Sequence, residues 1–361
     1  MAIFVLVVMI VAAVAPLGLT IALHAGSGGK RPAPYGVVAG TLFAAALMAG
    51  LLGYGGASDW GGCDAEGEHG VVTCVRGEEH CSVREWDTTC PPHSGDAPHP
   101  ACAGTAPDGN DSLCAAGYTP AVAYCEAFSE GWIKQPINTW SGLGFLVCGL
   151  WVLFVAWLDT GRTNTPEEQE NPMFGRSFDT TLYAFVLILV GPGTVALHAS
   201  MKNWGGWADT WTIGLWLVVA HTYSVTRWFR MKDGWRVVWL LGTLLAWGAG
   251  LGWLTWDTAG TRQWVAPVFG GLWGGTELIT WIWHTASDAG VNRKFTREVW
   301  WFWCLLGAFV AAFIFWGLWV PGNDACDPAS PFQGHALWHV CAAIAGLLAF
   351  FMWRSERVVD A

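Results

Sequence analysis

The chain has 361 residues, of which 53% are hydrophobic, 14% aromatic and only 13% charged. This composition belongs to membrane proteins and excludes an ordinary water-soluble domain. The formal net charge of −10 argues against nucleic acid as a partner.

Apolar windows of about 20 residues, the helix length that crosses a hydrocarbon core, occur near 3–24, 36–57, 138–158, 180–201, 207–227, 236–256, 264–284, 299–320 and 333–353. The expected fold is an all-α integral membrane protein. It would comprise a two-span N-terminal hairpin (1–57), a Cys-rich outer segment (58–134) and a seven-span transmembrane core (135–361). The first window, opening MAIFVLVV, lacks a basic n-region and exceeds a secretory h-region, so it reads as a retained helix. The stretch PPHSGDAPHPACAGTAPDGNDS reads as turns, so order in the outer segment must come largely from cross-links. TGRTNTPEEQENP reads as a solvated linker.

Orientation follows from Lys and Arg. With the N-terminus outside, the inner segments hold Lys30, Arg31, Arg162, Arg176, Arg227, Arg230, Lys232, Arg236, Arg293, Lys294, Arg297, Arg354 and Arg357. The outer segments keep Arg76, Arg84, Lys134, Lys202 and Arg262. A multi-pass protein of the cell membrane with a cytoplasmic C-terminus is expected. Cysteine gives a second argument: Cys63, Cys74, Cys81, Cys90, Cys102, Cys114, Cys125 and Cys326 all fall on outer segments, where disulfides persist. Their connectivity is open at this level, and a zinc module is the weaker alternative, because no CxxC occurs.

Most of the 27 tryptophans have an ordinary explanation. Trp204, Trp207, Trp211, Trp300, Trp301 and Trp303 flank span ends, where indoles anchor at the headgroups. Gly271, Gly274 and Gly275 would permit close helix approach. Glu277 and His221 lie inside spans and are expected to face the bundle interior, paired with each other, lining a pocket, or forming a structural bridge.

A polar cluster collects at the outer ends of the core spans. In GPGTVALHASMKNWGGWADTW, Thr194 and His198 stand four apart on one helix face, and Asp209 opens the next span. In GHALWH, His335 and His339 are again four apart. Three neutral imidazoles with an open fourth position make a common catalytic zinc site. Two interfacial histidines bonded to neighbouring helices would be the bland account of the pair alone.

Three blocks, YCEAFSEGWIKQPINTWSG (124–142), GPGTVALHASMKNWGGWADTW (191–211) and GHALWH (334–339), resemble the alkaline ceramidase family. That family lies within a superfamily of seven-span metal-dependent hydrolases that includes adiponectin-type receptors and GPI-remodelling proteins. The resemblance covers about residues 124–353, through the order of blocks and spans. It implies that His198, His335 and His339 bind zinc, that Asp209 transfers protons, and that Cys125 pairs with Cys326, leaving six cysteines to the outer segment.

The chain also departs from the family. Thr194 stands where the family has Ser, keeping a hydroxyl for water or the oxyanion, and Gln135 replaces a Glu. The acidic run after CE is AFSE, leaving Glu126 and Glu130 as calcium ligands in a site otherwise stripped of acids. Calcium is therefore doubtful as a second cofactor. Asn138 and Ser141 match the block and are expected to pin helices together.

The function implied is zinc-dependent hydrolysis of ceramide or a related long-chain lipid amide, a membrane lipid entering between helices. A seven-span receptor with a structural metal is the alternative from another class, and a lipid esterase or phospholipase the third.

Overall fold

The computed structural model describes residues 2–27, 33–58, 124–126, 133–160, 171–201, 203–229, 231–257, 259–286, 295–320 and 323–358. Cys63, Cys74, Cys81, Cys90, Cys102, Cys114, Glu130 and the linker at 161–170 lie outside the described residues, as do Lys30, Arg31, Arg76, Arg84, Arg162, Lys202, Arg230, Arg293 and Lys294. The described chain is helical apart from one two-residue strand pair.

The helices are α1 (Ala2–Gly26), α2 (Tyr35–Ser58), α3 (Pro136–Ser141), α4 (Leu143–Thr160), α5 (Phe178–Ser200), α6 (Asn203–Trp228), α7 (Asp233–Asp257), α8 (Ala259–Ala286), α9 (Val299–Leu318) and α10 (Gly334–Arg354). Each long helix falls on an apolar window of the sequence. Among the described residues, five segments are long and apolar enough to cross a membrane: Tyr35–Gly53, Pro136–Thr160, Phe178–Ser200, Val299–Leu318 and Gly334–Arg354. Apolar side chains stand outward on several helices, among them Trp239 and Leu245 on α7, Trp264 and Ile279 on α8, and Val310 and Ile314 on α9. Outward apolar surface on this scale is what an integral membrane protein presents to lipid.

The centre is built by α4, α5, α6 and α10. Helix α5 packs between α4 and α6, α10 rests on α4 and α9, α6 carries α7 and α8 on its far side, and α1 and α2 lie against α3, α4 and α5. Tyr183, Trp216, Trp273, Phe350 and Trp353 fill the middle with fully buried rings. Close approach occurs at Gly193 on α5, where a Cβ would collide with the Thr212 hydroxyl and lie 3.0 Å from the Ala208 carbonyl of α6. At Gly142, between α3 and α4, a Cβ would lie 2.6 Å from Thr194 Cγ2. Gly271, Gly274 and Gly275, expected to be the contact glycines, meet nothing within 4 Å at the Cβ position. They face open space because α8 approaches its neighbours through large aromatic side chains, such as Trp273 against Phe309 of α9.

The two ends of the bundle differ in chemistry. At one end Arg354 makes two bonds to Asp159, at 2.5 and 2.7 Å, and Arg236 makes two bonds of 3.0 Å to Asp179. Arg227 meets Glu356 there at 2.9 Å. The strand pair Phe295–Thr296 (β1) with Arg357–Val358 (β2) ties the linker after α8 to the C-terminus at this same end. Among the described residues, Arg227, Arg236, Arg297 and Arg354, four of the arginines assigned to inner segments, gather at this end, each against an acid.

Glu277 belongs to this polar end. It accepts from Ser224 Oγ at 2.5 Å and Trp353 Nε1 at 2.9 Å, and pairs with Arg297 at 2.5 Å. Of the alternatives open for Glu277 and His221, the structural bridge fits Glu277; the two do not bond each other, since His221 Nδ1 lies 3.2 Å from Thr276 Oγ1 and the Glu277 oxygens are already engaged. Tryptophan also does more than anchor: Trp207 and Trp211 donate to the Gly252 and Gly248 carbonyls of α7, at 2.7 and 2.9 Å, and Trp300 and Trp301 donate to Glu298.

Candidate metal centre

The opposite end holds the histidines. His198 is in the last turn of α5, and His335 and His339 occupy the first two turns of α10. All three are buried. One ligand atom from each lies within 4.8 Å of the others, and the ring centroids are 4.6 to 5.0 Å apart. Four residues of separation put His335 and His339 on one face of α10; α5 then presents His198 to that face.

Helix ends build this meeting point. Pro192 lies inside α5, six residues before His198, and α5 ends at Met201 in the left-handed conformation (φ 51°), whose N–H returns to the Leu197 carbonyl. The segment before α3 then runs along that end: the Lys134 and Gln135 amides donate to the Ala199 and His198 carbonyls, both at 3.0 Å. These bonds satisfy carbonyls that a helix terminus leaves open.

Two of the imidazoles are held through Nδ1, and for His198 the partner defines the tautomer. Gln135 Nε2 donates to the Glu126 carbonyl at 2.8 Å, which fixes the amide so that Oε1 faces His198 Nδ1, also at 2.8 Å. An amide oxygen only accepts, so His198 Nδ1 carries the proton and Nε2 keeps its lone pair. Ser141 Oγ lies 2.8 Å from both the Asn138 carbonyl and His339 Nδ1; with its hydroxyl proton on the carbonyl it accepts from Nδ1, which leaves His339 Nε2 for a ligand. His198 Nε2 is buried and has no hydrogen-bond partner among the described residues. A buried orphan nitrogen is costly unless something binds it. Neutral imidazoles, each held through the other ring nitrogen, are the donor set and support that divalent transition metals take. The residues present fit a metal ion.

Thr194 and Asp209 lie at this end too. Thr194 lies one turn before His198 and donates to Asp209 Oδ1 across the α5–α6 contact at 2.7 Å. Both residues are buried.

Cys125 and Cys326 stand at disulfide distance, with S–S 2.21 Å and Cα–Cα 5.5 Å. Their pairing joins the entry to α3 with the loop before α10.

Glu126, one of the two acids left at the calcium position, is engaged within the chain, and its companion Glu130 lies outside the described residues. The two Glu126 carboxylate oxygens accept from the Ile137 and Asn138 amides, both at 2.7 Å, capping the start of α3. Burial pushes its carboxyl up to about 7, while these two amide bonds pull the other way.

Two residues at the site escaped the sequence reading. Gln135 was noted only for the acid it replaces, yet it orients His198. Tyr124 carried no assignment, yet its ring lies 4.1 Å from that of His335 and 4.7 Å from that of His198, within electrostatic reach of Asp209 and Arg262. Burial first, then Asp209, raises its phenol well above the ordinary value, so it is neutral. The signal available was adjacency: Tyr124 immediately precedes the paired Cys125. No protein-family model matches the chain, and neither a curated protein nor a solved structure matches it.

Proposed function

We propose that the chain is an integral membrane hydrolase of the alkaline ceramidase type, with a seven-span core formed by α3–α4 and α5 to α10 and a zinc ion held by His198, His335 and His339. The substrate would be ceramide or a related long-chain lipid amide, cleaved to a fatty acid and an amine. The histidines would face the extracytoplasmic side of the cell membrane and the arginine-rich end the cytoplasm. The observation that carries this reading is the buried three-histidine group, with His198 Nε2 left without a partner among the described residues, beside a hydrogen-bonded Thr194–Asp209 pair.

Bound there, zinc would supply Lewis-acid activation of a carbonyl and a water nucleophile at neutral pH. The remaining work falls to the chain. Asp209 uses one carboxylate oxygen to accept from Thr194, leaving the other to take a proton from the attacking water and return it to the leaving amine. Thr194 spends its only hydroxyl proton on Asp209, so its part in this arrangement is to aim the carboxylate rather than to donate to an oxyanion. Gln135 and Ser141 keep two imidazoles in the ligating tautomer. A structural metal needs no proton shuttle, and this favours hydrolysis over the receptor reading.

The test is fatty-acid release from a panel of ceramides and other lipid amides by the purified detergent-solubilised protein, with zinc measured on the same sample. About one zinc per chain with amide cleavage is expected, and His339→Ala should lose both. Zinc without cleavage of any amide or ester would replace this reading with the receptor, and ester cleavage alone would replace it with the lipid esterase.

A further inference from the structure

Residues 124–126 reach the site from the end of the Cys-rich segment, and each touches a different support of the histidine group. The Glu126 carboxylate caps α3, whose Ser141 holds His339. The Glu126 carbonyl holds Gln135, which holds His198. Cys125 pairs with Cys326 in the loop that leads into α10. Tyr124 is the one member of the three that contacts the imidazoles directly.

His335 differs from its two companions. His198 and His339 are each oriented by a hydrogen bond at Nδ1. Among the described residues no hydrogen bond orients His335; its ring packs instead against the Tyr124 ring, centroids 4.1 Å apart at 45°. The same tyrosine ring meets His198 edge-on at 4.7 Å. Both contacts are made by the aromatic ring itself.

We infer that Tyr124 is a positioning residue for the metal group: its ring sets the orientation of His335 against His198, a role that hydrogen bonds perform for the other two ligands. The disulfide on its C-terminal side and the Glu126 cap hold the ring in place, so the end of the Cys-rich segment is a structural part of the metal centre. The inference rests on the metal reading of the site.

Co²⁺ is the probe, because its visible absorption reports ligand geometry and its affinity can be read without substrate. Wild type, Tyr124→Phe, Tyr124→Leu and Tyr124→Ala are compared as full-length protein in detergent, with His339→Ala as the control lacking a ligand. Tyr124→Phe should match wild type in spectrum and affinity. Tyr124→Ala should bind Co²⁺ about 10- to 100-fold more weakly, the loss typical when a ligand's supporting partner is removed, with an altered spectrum. Tyr124→Leu, which fills most of the volume without an aromatic plane, should also shift the spectrum, and it carries the test if the alanine variant does not fold. Unchanged binding and spectrum in Tyr124→Ala or Tyr124→Leu would overturn the inference, as would a Tyr124→Phe variant as weak as Tyr124→Ala. Failure of wild type itself to bind Co²⁺ would overturn the metal reading and this inference with it.

Discussion

Ser141 Oγ and His339 Nδ1, 198 residues apart in the chain, lie 2.8 Å from each other and join α3 to α10 at the centre of the histidine group. With the serine proton on the Asn138 carbonyl, the serine accepts from the imidazole. Ser141→Ala should therefore leave the helices assembled but release the His339 tautomer. Metal affinity, read by competition with a chelator, should fall about 10- to 100-fold. An unchanged affinity would mean that packing alone orients His339.

Asp209 can be separated from the metal group in the same way. Asp209→Asn keeps an oxygen for the Thr194 hydroxyl but cannot take up a proton. Hydrolysis should fall by at least about 10²-fold, the usual worth of a positioned general base, while zinc content stays at the wild-type value. Loss of zinc together with activity would instead make Asp209 a determinant of metal binding.

The helices were legible because apolar windows carry their own position: each of the nine windows coincides with a long helix to within a few residues. The arrangement of polar groups was legible only where spacing or resemblance spoke, as for His335 with His339 and Thr194 with His198. Glu277 shows the limit. A carboxylate in an apolar window needs a partner, but sequence does not say which, and the nearby His221 was a natural choice. The charged partner is Arg297, which directly follows the strand β1 that pairs with β2. Gln135 and Tyr124 were missed for a related reason. Their roles depend on where residues 124–126 and 133–135 lie against the end of α5, which no local pattern encodes.

That Glu277–Arg297 pair makes a prediction about stability. Both side chains are almost wholly buried, and Ser224 and Trp353 satisfy the carboxylate further. Removing one partner leaves an uncompensated buried charge, which costs about 3–5 kcal/mol, whereas removing both is far milder. Arg297→Met should lower the thermal midpoint of the solubilised protein sharply, and the double variant with Glu277→Gln should recover much of the loss. Additive losses would show that the two residues act independently.

Glu126 predicts a pH dependence whose sign can be worked out. Its carboxyl, ordinarily at 4.5, is raised to about 7 by burial, against the pull of the Asn138 and Ile137 amides. A raised value means that the folded protein holds this proton more tightly than the unfolded chain does. The associated stability is thus fully present below 4.5 and is lost as pH rises through about 7, by an amount on the order of 3 kcal/mol. Thermal midpoints of wild type should fall over that window. Glu126→Gln cannot titrate, so its profile should be flatter there, although it sits lower throughout because the amide side chain offers the two backbone N–H groups one acceptor instead of two. Other groups titrate over the same range, so the decisive quantity is the difference between the two profiles. A constant difference from pH 4.5 to 8 would show that the two amides hold Glu126 ionised throughout, and that the cap on α3 outweighs burial.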